Sequence, residues 1–220
     1  MFKKILIPIL MTLPCSSVLA GQGEEQLRAF INDLQSLQTE FTQDLYDEEG
    51  TKIDSASGML YLQRPGKFHW QYQQPYEQQI LTDGETLWIY DSDLEQVTVR
   101  DVANNLQSTP AAILGGTANI DELYEITDMG ELEGAHWVRL NSLDDESQYS
   151  DVRLGFEAGE LGMMIMSDNL GQTTRIDFSD TQRNVDLDEE LFEFDAPDNV
   201  DVLDDRQSAV ESAQPSGLVE

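Results

Sequence analysis

The residue types best able to do chemistry in this chain are carboxylates. Asp and Glu number 43 of 220 residues, against 12 Lys and Arg and 2 His. Oxygens at alternate positions can hold calcium, and Asp91-Ser92-Asp93-Leu94-Glu95 has that alternation. It lacks the glycine that follows position five of a calcium loop and the later bidentate Glu, so it reads as a turn. Two carboxylates could also serve glycoside hydrolysis. Among so many acids some pair always has a suitable spacing, so that pattern carries no specificity. His69 and His136 lie far apart and outside any HExxH setting, and read as strand residues rather than ligands. No GxSxG elbow, Walker loop or GxGxxG occurs. No catalytic residue, metal or cofactor is assigned.

What remains is apolar. In Lys67-Phe68-His69-Trp70-Gln71-Tyr72 the rings of Phe68, Trp70 and Tyr72 recur with period two, so one face of a strand carries all three. Trp88 and Tyr90 add rings nearby, and Met163-Met164-Ile165-Met166 places flexible thioethers in another strand. Faces of this kind suit either a protein core or a cavity that takes apolar shapes. Period alone favours core.

The elements that would position these faces follow from local pattern. Glu24 to Leu37 spaces Leu27, Phe30, Ile31, Leu34 and Leu37 as an amphipathic helix, with Glu24 and Glu25 in the first turn, where the dipole favours acids. Strands follow from Thr39, at Ser57 to Gln63, after the Arg64-Pro65-Gly66-Lys67 turn, at Gln78 to Thr82, at Thr86 to Tyr90 and at Leu94 to Arg100. Asp83-Gly84 between two of them is a strong hairpin signal. Asp101 can cap a short helix holding Val102 and Leu106. Thr109-Pro110 to Gly115 predicts another, with threonine as N-cap, proline at N1 and glycines behind it as a hinge. Strands resume at Leu123 to Thr127, His136 to Asn141, Tyr149 to Glu157, Glu160 to Met166 and Thr173 to Ser179, with a last one around Leu191 to Phe194. Ten or eleven antiparallel strands in one sheet must curl, and the helices are its natural cover.

The chain begins with a secretory signal: Lys3-Lys4, an apolar run from Ile5 to Leu13, and Val18-Leu19-Ala20 before the cut. Pro14 before Cys15 fits a lipoprotein processing site poorly, so the exported chain starts at Gly21 without a cysteine. Residues 21–200 then form one domain, and 201–220 an acidic tail expected to be disordered. The formal charge of −31 disfavours nucleic acid and anionic head groups. The bulk of it reads as solubility in a salty compartment, with docking onto basic partners as the sharper alternative.

Arg64-Pro65-Gly66-Lys67-Phe68-His69-Trp70, Pro75, Thr82-Asp83-Gly84, Leu87-Trp88-Ile89-Tyr90-Asp91 and Leu94-Glu95-Gln96-Val97 resemble, in order and spacing, the LolA family. Thr109-Pro110, Asp168 with Gly171-Gln172, and Phe192 with Phe194 and Pro197 extend the likeness over nearly the whole exported chain. The resemblance implies a mainly β, α+β fold: an incomplete, strongly curved antiparallel β-barrel with helices as a lid over a hydrophobic cavity. It also implies a monomeric periplasmic carrier. Such a carrier takes acylated lipoproteins from a LolCDE-type inner-membrane ABC transporter and gives them to a LolB-type outer-membrane acceptor. In that picture Arg64 is the latch bonded to backbone carbonyls of the lid, around Asn105 to Leu114, and Phe68 stands at the cavity mouth with Trp70 facing the same way. Ile80, Leu114 and Met166 are added as lining from strand parity and helix position. Ala111-Ala112 departs from the bulky residues some members place there. A LolB-like acceptor and a periplasmic sensor of the same half-barrel are the alternatives in the binding class, and a hydrolase is the enzyme alternative.

Overall fold

The computed structural model describes residues 21–102, 110–116, 119–145, 147–198 and 200–206. The signal segment 1–20, Cys15, Leu106, the Thr109 cap and the tail from 207 lie outside the described residues. Helix α1 (Gln22–Asp33) precedes strands β1 (Ser36–Tyr46), β2 (Lys52–Gln63), β3 (Lys67–Gln74), β4 (Gln78–Thr82), β5 (Thr86–Asp91) and β6 (Gln96–Asp101). The short helices α2 (Pro110–Gly115) and α3 (Ile120–Leu123) follow. Then come β7 (Tyr124–Leu132), β8 (Ala135–Ser142), β9 (Tyr149–Glu157), β10 (Glu160–Asp168), β11 (Thr173–Arg183), a 3₁₀ turn (Glu189–Phe192) and β12 (Asp201–Asp204).

All twelve strands form one open sheet in the order β12-β6-β5-β4-β3-β2-β1-β11-β10-β9-β8-β7. Two meanders, β1–β6 and β7–β11, are thus zipped together by antiparallel pairing of β1 with β11, from Leu37↔Arg183 to Tyr46↔Thr173. Apolar residues of β1–β3 and β7–β11 share one buried cluster with α1 and α2. Eight strands laid flat would span about 34 Å, whereas the twelve residues of α1 reach only about 18 Å. The sheet therefore curls around its helices. Leu27 and Phe30 of α1, with Leu34 just past its end, are fully buried on the concave face, each stabilising by about 1.5–3 kcal/mol. Phe30 meets Phe156 of β9 edge-on at 5.7 Å.

Local chemistry accounts for the bends. The β2–β3 register slips between Ser57 and Gly58. A Cβ at Gly58 would sit 1.9 Å from the Gln71 carbonyl oxygen, so only glycine lets the strands approach there. At the start of α1 no side chain of its own caps the helix. Asp128 of β7 substitutes, accepting a hydrogen bond from Glu24 N at 3.1 Å, where a carboxylate is favoured by the helix dipole.

Three expectations need correction. The helix ends at Asp33 rather than Leu37, because Leu37 belongs to β1 and pairs with Leu62. The segment around Leu191 to Phe194 is no strand: Asp188 caps Glu190 N and winds residues 189–192 into a 3₁₀ turn. Residues 201–204 form β12, the one parallel strand among the described residues, against β6, so the acidic tail does not start at 201. Between β11 and β12 the chain crosses the convex face as a strap. Phe192 is buried under it, and Phe194 stacks on Trp88 at 6.2 Å and leans on Tyr90 at 5.8 Å.

Candidate functional site

The site is built around the turn between β2 and β3. Gly66 takes φ +74°, a left-handed conformation open to glycine at little cost. Its N–H donates to the Gly115 carbonyl at 3.1 Å. Two residues earlier, Arg64 Nε donates to the Leu114 carbonyl at 2.9 Å and Nη1 to the Ile31 carbonyl at 2.6 Å. Arg64 N donates to the Gln35 carbonyl at 2.8 Å.

Leu114 lies in the last turn of α2 and Ile31 in the last turn of α1, where carbonyls have no partner inside the helix and the dipole is negative. Neither helix carries a basic residue in its last turn. Arg64 supplies that cation to both at once, and a guanidinium fork is the group able to do so. Gly116 closes the arrangement. It has φ +66°, and a Cβ there would lie 2.6 Å from Arg64 Nε, so the residue behind α2 must be glycine for the guanidinium to sit there.

This arrangement is costly as well as specific. Arg64 is half-buried, desolvation holds its pKa below the usual arginine value, and its Nη2 is buried with no hydrogen-bond partner. Among the described residues no carboxylate pairs with it. A desolvated guanidinium satisfied only by carbonyls stands near the limit of what the interior tolerates.

The other expected residues lie on the apolar face of the sheet and of α2. Phe68, Trp70, Leu114 and Met166 are all buried, at 3%, 7%, 1% and 4% exposure, and Ile80 is half-buried. Trp70, Leu114 and Met166 share the main cluster. Phe68 belongs to a separate small cluster with Leu87, flanked by Ile89 and Val102. Ile80, opposite Trp70 in the β3–β4 register, touches both clusters and joins them. Trp70 packs on Phe41 at 5.1 Å while its indole Nε1 has no partner. Tyr72, last in the row of rings, lies 5.2 Å from Phe41, and burial pushes its hydroxyl pKa up to about 12.

The structure brings Arg64 to Leu114, places Trp70, Leu114 and Met166 in one cluster and Phe68 in another, and sets Met166 toward the other end of the sheet, opposite Thr174 of β11. It adds partners that the residue pattern did not show: the Ile31 carbonyl, and Gly116 against the Arg64 guanidinium. The paired glycines after α2 were the available signal for the second. Nothing in sequence marks a carbonyl as a partner, since every residue has one. Among the described residues no group of acids, histidines or cysteines has the geometry of a metal site.

A curled, unclosed sheet, with helices pinned across its concave face by one half-buried arginine, defines a lidded half-barrel. A family model described as outer membrane lipoprotein carrier protein LolA matches residues 32–195. An outer-membrane lipoprotein carrier protein of Methylococcus capsulatus is 38% identical over 205 residues, covering 93% of this chain and 99% of the relative. One of Dechloromonas aromatica is 38% identical over 179 residues, covering 81% and 86%. Among solved structures, an uncharacterized conserved protein of Thermus thermophilus shares the fold, with a TM-score of 0.54 at 12% identity over 83% of this chain and 99% of that one. The chain belongs to the LolA family of outer membrane lipoprotein carrier proteins.

Proposed function

We propose that this protein is exported to the periplasm and its signal removed after Ala20. There it accepts acylated lipoproteins from a LolCDE-type inner-membrane ABC transporter and carries them, as a monomer, to a LolB-type acceptor at the outer membrane. It acts by binding, not catalysis. Each acyl CH₂ left in water costs about 0.8 kcal/mol, so three chains cost on the order of tens of kcal/mol and must be sheltered in transit. Phe68, Trp70, Ile80, Leu114 and Met166 are the shelter, and Arg64 is the latch that closes α2 and α1 over it when empty.

The observation that carries this reading is the Arg64 geometry. One side chain ties the C-terminal ends of two helices together at 2.9 and 2.6 Å, yet keeps a buried Nη2 unsatisfied. A latch that is specific and poorly satisfied is held closed by a small margin. Cargo binding the open form can then reverse it, and release of cargo restores it.

The test is to recover the protein from the periplasm and identify bound lipoprotein by mass spectrometry, alongside Phe68→Glu. Wild type carries lipoprotein, and a charge at Phe68 lowers the loaded fraction at least about tenfold, as a buried carboxylate in an apolar site requires. An empty wild type that also fails to keep a purified lipoprotein soluble overturns the reading. Unchanged loading of Phe68→Glu removes Phe68 from the site.

A further inference from the structure

Trp70 stands within the apolar face and carries a polar atom that bonds to nothing. The residue is 7% exposed, and its indole Nε1 is buried with no hydrogen-bond partner. The side chains around it are apolar. Leu60 of β2 and Ile80 of β4 are its register partners on either side, Phe68 and Tyr72 share its face of β3, and Phe41 packs on its ring at 5.1 Å. The Tyr72 hydroxyl, the other polar atom in this row of rings, already meets Gln43 Oε1 at 3.2 Å.

A donor left unmade in such surroundings carries the full cost of its desolvation. Phenylalanine, used two residues earlier on the same face, supplies a ring without that cost. Water does not relieve it, since a buried water bonds about three polar groups and would find one free donor among these side chains. The position of the N–H suits an acceptor that arrives with apolar cargo. Trp70 lies two residues along β3 from Phe68, about 7 Å further from the β2–β3 turn, and α2 lies against β2 and β3. An acyl chain entering there is hydrocarbon along its whole length except at its head, where an ester or amide carbonyl joins it to the rest of the molecule. A carbonyl accepts a hydrogen bond and brings no donor that needs a partner of its own.

We propose that Trp70 Nε1 donates to the carbonyl of an acyl linkage in the bound cargo, making Trp70 a specificity-determining residue that selects acyl esters and amides over bare hydrocarbon chains. The inference rests on the carrier reading above. The bond forms only in the loaded protein, so it favours loading. Its net strength is modest, because the carbonyl gives up water to make it, and release stays within reach. One fixed, directional donor also sets how far the bonded chain enters the shelter.

The test compares two synthetic lipopeptides that differ at the linkage alone: an S-diacylglyceryl cysteine peptide with a free amine, and its dialkyl ether counterpart with chains of equal length. Each is titrated into the full exported chain. The affinity ratio of diester to diether is expected to be about three- to tenfold higher for wild type than for Trp70→Phe, the worth of one neutral hydrogen bond. Ile80→Ala weakens both lipopeptides alike and keeps the wild-type ratio, since it removes contact area and no donor. In the infrared, an ester carbonyl stretch of the lipopeptide moves to lower frequency on binding wild type, a readout that needs no variant. A Trp70→Phe ratio equal to that of wild type, or a bound diester whose carbonyls all absorb as they do in alkane, overturns the proposal and leaves the carrier reading standing. Wild type that binds neither lipopeptide overturns both.

Discussion

Arg64 is a cation in a place where cations are rare, half-buried and without a carboxylate, holding two helix ends by their carbonyls. Leucine has similar bulk and no donors. Arg64→Leu would leave the Leu114 and Ile31 carbonyls to water and make the closed state worth less relative to the open one, by about 1.5–3 kcal/mol for charge-assisted bonds. The expected outcome is a carrier that loads but releases poorly: transfer of lipoprotein to the acceptor, followed by gel shift or pull-down, drops about tenfold or more. Gly116→Ala reaches the same state from the other side, because its Cβ would occupy the place of Arg64 Nε. Transfer at wild-type rates by both variants would leave Arg64 a structural residue only.

At the scale of elements, the strap from Asn184 to Phe194 matters as much as the lid. Asn184 anchors its start by accepting from Gln35 N at 2.8 Å and donating to the Asp33 carbonyl at 3.0 Å. Glu189 engages Lys67 and Gln63, so the strap lies across β2 and β3 on the face opposite the helices. Under it sits His69, its ring 6.0 Å from Tyr61 and both nitrogens buried without a hydrogen bond of good geometry. Burial holds the His69 pKa below its ordinary 6.5, although the Leu191 backbone and the Gln79 side chain favour the charged form. The sign follows directly. Below pH 6.5 the unfolded chain takes up a proton that the folded chain resists, so His69 lowers stability as pH falls and has no effect well above 6.5. Urea titrations of wild type and His69→Phe across this range are expected to show the steeper loss on acidification in wild type. Identical slopes would place the imidazole in water.

At the scale of the molecule, a net charge of −31 sits on a sheet with two free edges, β12 and β7. Among the described residues most ion pairs are exposed, such as Arg28 with Asp121 and Arg206 with Asp204, and water and salt screen them so that they stabilise little. Self-repulsion therefore dominates the long-range electrostatics. Added salt shortens the Debye length from about 30 Å at 0.01 M to about 10 Å at 0.1 M and relieves it. The thermal midpoint should rise with sodium chloride over that range, and a midpoint that falls would mean the ion pairs outweigh the repulsion. The same charge keeps the edges from pairing between copies.

Local pattern by itself determined the period of strands β2 to β5 and β8 to β11, the Asp-Gly and Pro-Gly turns, the helix of Pro110 to Gly115 and the inward faces of Phe68, Trp70 and Met166, because these depend on residues a few positions apart. Resemblance carried the sequence as far as Arg64 bonded to carbonyls somewhere in Asn105 to Leu114. Tertiary structure alone decided the rest. The pairing of β1 with β11 across more than a hundred residues sets the curl that brings the lid over the sheet. The parallel docking of β12, in a segment too acidic and short to announce a strand, depends on β6 offering an edge. The division of Phe68 from Trp70 into two clusters bridged by Ile80 follows from how the curled sheet closes on its helices. The second half of the latch, the Ile31 carbonyl, is set by where α1 ends in space. A backbone acceptor leaves no mark in the sequence, and only the fold brings it within 2.6 Å of a guanidinium.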